Sequence, residues 1–120
     1  MNSNHPTRVL VCIPAYNEAK SLPDIVSECK KYADEVIVYD DGSTDNTQQV
    51  ASSAGAIVIR SPENKGYGIA IRSLFQAAKE KSADIMVTLD SDGQHNPDQI
   101  ASLIEQLNHG DYNLFSGGVI

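Results

Sequence analysis

The chain has no tryptophan, two phenylalanines and two cysteines in 120 residues. Two thiols make no disulfide framework, which excludes the stapled scaffolds of small secreted proteins. Cys12 and Cys29 both lie among apolar neighbours, the setting of buried thiols in a reducing compartment. Positive charge is scarce: 9 Lys and Arg stand against 16 Asp and Glu, for a net charge of −7. That balance excludes non-specific nucleic-acid binding and charge-driven docking on anionic lipid. No apolar run approaches the roughly 18 residues that a membrane helix needs. Met1 to Thr7 is polar, lacks the apolar core of a secretion signal, and reads as a disordered lead. The expected location is the cytoplasm, with a peripheral seat on the cytoplasmic membrane face as a variant. Hydrophobic residues make up 41% and charged residues 21%, an ordinary globular mix with material for one core.

Short, β-branched-rich apolar runs recur at Val9 to Ile13, Val36 to Tyr39, Ala56 to Ile59, Ile85 to Leu89 and, more weakly, Tyr112 to Phe115. Nearly continuous runs of this kind are strands covered on both faces. Helical spacing fills the gaps. Leu22, Ile25, Val26 and Cys29 follow i, i+3, i+4, i+7, as do Ile100, Leu103, Ile104 and Leu107. A short helix is expected near Thr47 to Ala54. A longer one is expected from about Ile69 to Lys81, with Ile71, Leu74, Phe75 and Ala78 inward. Ser21 is placed to cap the first helix with Asp24 at the capping-box position, and Asp45 to cap the second, which Gly55 ends. Asn96-Pro97 opens the fourth. The order βαβαβαβαβ predicts an α/β fold: a mostly parallel sheet with right-handed crossovers and helices on both faces.

Ligands of open parallel sheets bind beyond the carboxyl ends of the strands. Four of those ends carry dense polar chemistry. After the fourth strand, Asp90 and Asp92 are two apart on extended chain, so their carboxylates point the same way. Such a pair repels unless a cation sits between them, and a hard divalent ion such as Mg²⁺ or Mn²⁺ suits oxygen ligands. Gln94 can add a carbonyl oxygen; the competing reading is a solvated turn. After the second strand, Asp41 can accept from a ribose hydroxyl or a base N–H, whereas Asp45 suffices for the helix cap. After the third, Asn64-Lys65-Gly66 with Gly68 permits close backbone approach, and Lys65 can sit beside a diphosphate; an ordinary loop competes with this. After the first, Pro14 and Tyr16 stand where a nicotinamide-binding unit needs glycines, which excludes NAD. Tyr16 can stack on a base and Glu18 can accept from a ribose hydroxyl, or the segment is simply an irregular loop. His95 reads as a loop or capping contact and Cys12 as core. No Ser-His-Asp arrangement follows from the spacing.

Taken together, Cys12-Ile13-Pro14-Ala15-Tyr16-Asn17-Glu18, Val38-Tyr39-Asp40-Asp41-Gly42-Ser43-Thr44-Asp45, Asn64-Lys65-Gly66-x-Gly68 and Leu89-Asp90-Ser91-Asp92-Gly93-Gln94-His95-Asn96-Pro97 closely resemble glycosyltransferase family 2. The last run is similar to that of the dolichyl-phosphate mannose synthase and polyprenyl-phosphate glycosyltransferase branch. The resemblance implies a GT-A fold, Rossmann-like and three-layered, over residues 8–120. It implies a nucleotide-sugar site in which Pro14, Ala15, Tyr16 and Glu18 line the nucleoside pocket and Asp41 contacts the base. Lys65 and Gly66 complete the set, and Asp90 sits at the ribose and phosphates. Asp92 and Gln94, with Asp90, would hold Mg²⁺ or Mn²⁺. The implied reaction is inverting transfer of a sugar from a GDP- or UDP-sugar to an acceptor such as a polyprenyl phosphate.

The departures from the family pattern carry expectations too. Phe115-Ser116-Gly117-Gly118-Val119-Ile120 stands where the lipid-phosphate branch has Gly-Ser-Arg, and Leu74 where a Gly is common. The chain is expected to be the donor-binding part, cut off after the fifth strand, with no acceptor base of its own. Apolar surface left open in this way favours a homo-oligomer. A non-catalytic module that binds nucleotide sugar and metal is the alternative. A signalling receiver domain is excluded by Pro14-Ala15, Arg60-Ser61 and Gly117-Gly118 at its key positions. A nucleotidyltransferase is disfavoured because Tyr16-Asn17-Glu18 is no Gly-rich basic loop.

Overall fold

The β-branched runs and the helical segments between them alternate as expected in the computed structural model, which describes residues 8–91 and Ser102. The elements are β1 (Val9–Ala15), α1 (Leu22–Cys29), β2 (Glu35–Asp41), α2 (Thr47–Ser53), β3 (Ile57–Ser61), α3 (Tyr67–Glu80) and β4 (Ile85–Thr88). The helix expected after Pro97 and the strand expected at Tyr112 to Phe115 lie outside the described residues, as does the lead from Met1 to Thr7. Ser102 itself is helical.

The strands are parallel, in the order β3-β2-β1-β4. β1 pairs with β2 from Leu10 opposite Glu35 to Ala15 opposite Asp40. It pairs with β4 only from Val9 opposite Ile85 to Cys12 opposite Thr88. β1 therefore outruns β4. Pro14, which has no N–H to give to a ladder, falls where the β4 ladder has already ended.

Strand side chains alternate between two buried layers. Val11, Ile13, Val36, Val38 and Val87 pack on α1 through Leu22, Ile25, Val26 and Cys29, and on α2 through Ala51. Leu10, Cys12, Ile37 and Tyr39 pack on α3 through Ala70, Leu74 and Ala78. Each large aliphatic side chain buried this way contributes about 1.5–3 kcal/mol. Cys12 and Cys29 lie in opposite layers and are both free and buried. Burial pushes each thiol up to about 12, with Glu28 adding to the shift at Cys29.

α3 differs from expectation in its start and in its inward face. It begins at Tyr67 and buries Ala70, Leu74 and Ala78, whereas Ile71 is half-buried and Phe75 is 40% exposed. The small Ala70 and Ala78 let the helix axis lie close to the sheet, so the i, i+4, i+8 row through Leu74 faces the strands. Phe75 is left on the flank.

α1 also corrects the sequence reading. Ser21 has helical backbone angles and makes no side-chain cap bond, so no capping box with Asp24 forms. The carbonyl of Glu18 accepts the N–H groups of Ser21 and Leu22 instead, and Pro23 in the first turn has no N–H to satisfy. At α2 the N-cap residue is Asn46, which makes no side-chain cap bond; Asp45, one residue earlier, instead accepts the Thr47 N–H at 2.9 Å and also the Thr47 hydroxyl, closing the turn into the helix. Gly55, at φ +106°, ends α2: its N–H reaches Ser52 O at 3.0 Å and that of Ala56 reaches Ala51 O at 3.1 Å. Ser82, at φ +57°, makes the same turn after α3 without being a glycine.

The amino-terminal edge of the sheet is tied by charge. Arg8 pairs with Glu35 at 3.1 Å, Lys81 pairs with the same carboxylate at 3.4 Å, and Asp34 accepts the Val9 N–H at 2.6 Å. The cleft lies at the opposite edge.

Candidate functional site

The chain runs outward through β1, β2 and β3, then returns past β1 to lay down β4. The strand order therefore reverses between β1 and β4, and a crevice opens beyond their carboxyl ends. There the structure has a cleft of about 350 Å³. Pro14, Ala15 and Tyr16 line it from the end of β1, and Asp90 and Ser91 from the segment after β4. Asp41, Gly66 and Tyr67 close the side toward β2 and α3, with Ala70 beneath. Tyr16 is 44% and Tyr67 59% exposed, so both rings keep open surface at the cleft.

The loop after β1 is stitched to the loop after β2. Asn17 holds φ +54°, a conformation Asn tolerates better than most residues. Its side-chain oxygen accepts the Thr44 N–H at 2.8 Å and the Asp45 N–H at 3.3 Å, while its own N–H donates to Ser43 Oγ at 2.8 Å. The Glu18 N–H donates to Thr47 Oγ1 at 3.0 Å, and the Ala19 N–H to the Asp45 carboxylate at 3.3 Å.

The loop after β2 is joined in turn to the loop after β3. Asp41 accepts the N–H groups of Lys65 and Gly66. Gly42, at φ +75°, packs so closely that a Cβ there would lie 2.4 Å from the Glu63 carbonyl carbon. Asp40 is fully buried and paired with Arg60 at 2.6 Å; it also accepts the Ser43 N–H at 3.0 Å, while Arg60 donates to Ser43 O. A buried carboxylate left without such partners would be strongly destabilising.

Six residues expected at the site from the sequence thus stand at one cleft: Pro14, Ala15, Tyr16, Asp41, Gly66 and Asp90. Glu18 and Lys65 are not among its lining residues. Glu18 is half-buried at the start of α1, with its carboxylate 3.3 Å from Ser21 Oγ, and Lys65 is exposed. Two amides of the turn before α3, those of Lys65 and Gly66, already serve Asp41. Asp92 and Gln94 lie outside the described residues. Among the described residues no group of three acidic, His or Cys side chains comes close enough to hold a metal ion. Asp90 brings one hard oxygen donor to the cleft, which suits a divalent cation as a single ligand.

Sequence reasoning missed Asn17, the Asp40–Arg60 pair and Tyr67. The strand register would have revealed the pair, because Arg60 is the β3 residue opposite Asp40. Tyr67, an aromatic between two glycines at a helix start, carried no signal beyond its position.

A parallel sheet in the order 3-2-1-4, helices on both faces and a cleft at the switch point define a GT-A-like α/β domain. The chain belongs to a particular family with this architecture: the model of Glycosyl transferase family 2 matches residues 10–120. A UDP-N-acetylglucosamine–dolichyl-phosphate N-acetylglucosaminyltransferase from Methanococcus voltae is 35% identical over 117 residues, covering 82% of this chain and 47% of the relative. A dolichol-phosphate mannosyltransferase from Pyrococcus furiosus is 35% identical over 111 residues, covering 86% and 31%. Among solved structures, glucosyl-3-phosphoglycerate synthase from Mycobacterium tuberculosis, in complex with Mn²⁺, UDP-glucose and phosphoglyceric acid, superposes with a TM-score of 0.70. It is 30% identical, and the match covers 88% of this chain and 40% of that one. The chain thus spans about half, or less, of the length of the curated relatives it matches.

Proposed function

We propose that the cleft binds a nucleotide-diphospho-sugar, with a UDP- or GDP-linked donor, and that the chain is the donor-binding part of a metal-dependent, inverting glycosyltransferase. One observation carries this reading: the switch-point cleft gathers an aromatic face, Tyr16, and two carboxylates, Asp41 and Asp90, from three separate strand ends. Family membership and the UDP-glucose and Mn²⁺ of the Mycobacterium tuberculosis neighbour support it.

In this reading the base stacks on Tyr16 and directs an N–H toward Asp41, which can only accept. Asp90 serves the diphosphate end, whereas Glu18 and Lys65, which the family resemblance puts at a ribose hydroxyl and the diphosphate, stand outside the lining of the cleft. Asp90, Asp92 and Gln94 would hold Mg²⁺ or Mn²⁺, which when bound neutralises charge on the departing nucleoside diphosphate. The acceptor oxygen attacks the anomeric carbon from the face opposite the leaving phosphate, so the configuration inverts. A polyprenyl phosphate, the acceptor class named for the dolichyl- and undecaprenyl-phosphate relatives, would attack as an oxyanion and need no protein base. A seat at the cytoplasmic membrane face goes with such an acceptor.

The test is transfer of label from UDP- and GDP-sugars to a short polyprenyl phosphate with Mn²⁺. Labelled lipid that disappears in Asp92→Asn supports the full reading. Donor binding without transfer reduces it to a binding module, and neither binding nor transfer rejects it.

A further inference from the structure

Two serines do work at the cleft that their positions in the sequence do not announce. Ser21 stands where a helix cap belongs, yet its hydroxyl caps nothing. It donates instead to the carbonyl oxygen of Ser91 at 2.5 Å, with the Glu18 carboxylate 3.3 Å away. The Ser91 hydroxyl is buried and donates to the carbonyl oxygen of Pro14 at 3.1 Å. Just before it, the Leu89 N–H reaches Cys12 O at 3.1 Å. Beyond Leu89 the β4 chain has no strand ladder to hold it, and Pro14 has no N–H to offer. The two hydroxyls replace the missing ladder across the crevice between β1 and β4. Asp90 lies between the two anchored residues, Leu89 and Ser91. Giving up a helix cap to make such a bridge is a departure from local preference, of the kind found where a site must be held.

We infer that Ser21 and Ser91 are positioning residues: together they form a latch that fixes the Asp90 turn against β1 and α1, and so sets the grip of the cleft on the phosphates of its ligand. This rests on the nucleotide-sugar reading. The base side of the cleft is organised separately, by Asn17, Asp41 and Gly42, so the latch acts on the diphosphate side alone.

The test compares the affinity of the full chain, with Mn²⁺ present throughout, for UDP and for uridine, with GDP and guanosine in parallel; the cation is needed because the Asp90 carboxylate alone would repel a diphosphate. Ser21→Ala and Ser91→Ala are expected to weaken diphosphate binding about 5- to 10-fold, the effect of one lost hydrogen bond. Nucleoside affinity should stay within about two-fold, and Ser21→Thr, which keeps the hydroxyl, should restore diphosphate binding. Unchanged diphosphate affinity in Ser21→Ala overturns the latch, and so does an equal loss for nucleoside and diphosphate, which marks general loosening. If Ser91→Ala does not fold, Ser21→Ala and Ser21→Thr decide the matter. Failure of the wild-type chain to bind either diphosphate rejects the nucleotide-sugar reading first, and the latch with it.

Discussion

Asp41 and Gly66 are joined across two loops: a carboxylate oxygen of Asp41 accepts the Gly66 N–H at 2.9 Å, while its other oxygen takes the Lys65 N–H at 2.8 Å. The last residue of β2 thereby holds the first turn of α3 at the rim of the cleft. Asp41→Asn keeps the size but replaces one acceptor with an NH₂ group that faces an N–H. The variant should lose about 1–3 kcal/mol in urea unfolding, with a weakened affinity for nucleoside diphosphate. Wild-type stability in Asp41→Asn would show that the clamp contributes nothing.

Gly42 lies beside this clamp, where a Cβ would run into the backbone of Glu63 and Asn64. Adding one methyl group brings contacts of 2.4 to 2.8 Å with backbone atoms, at a φ of +75°. Gly42→Ala must therefore displace the loop after β3. We expect a loss of about 2–4 kcal/mol in denaturant unfolding, within the range of strained backbone substitutions. A serine or alanine there with an unchanged midpoint would contradict the packing described.

Asp45 links stability to pH. Slight desolvation raises its carboxyl pKa, but hydrogen bonds from the Thr47 hydroxyl and amide and the Ala19 amide outweigh this and hold it below the ordinary 3.8. A depressed folded pKa stabilises the native state above the unfolded value, and that contribution is lost as pH falls through the folded value. The stability gap between wild type and Asp45→Asn should therefore be constant from about pH 5 to 7 and narrow below 3.8. A gap independent of pH would rule out this role for the carboxylate.

The thiols offer a probe of the core. With pKa values pushed up to about 12, Cys12 and Cys29 hold almost no thiolate near neutral pH. Iodoacetamide at about pH 8 should label neither in the folded chain and both after unfolding in urea. Rapid labelling of the native chain would place at least one thiol outside the two buried layers.

Much of the fold was legible in the sequence because one signal dominated. Runs such as Val9 to Ile13 and Val36 to Tyr39 are apolar at every position, as strands covered on both faces must be. The candidate cleft was legible in part for a related reason: polar residues cluster at strand ends, and a parallel sheet gathers all carboxyl ends on one edge, but Glu18 and Lys65 fall outside its lining. What failed was local chemistry decided by tertiary partners. Ser21 carries the signature of a cap, but a carbonyl from Ser91, distant in sequence, claims its hydroxyl. Phe75 fits the helical period, but two alanines decide which row of α3 meets the sheet. Arg60 gave no sign of a partner in the sequence; only the strand register sets it opposite the buried Asp40.

The most direct measurement is the melting temperature of the chain with UDP, GDP or ADP, each with Mn²⁺ or with EDTA. A ligand that binds only the native state must raise it. The account predicts a rise with UDP or GDP that Mn²⁺ enlarges and EDTA diminishes. A cooperative transition that none of the three nucleotides moves would contradict it.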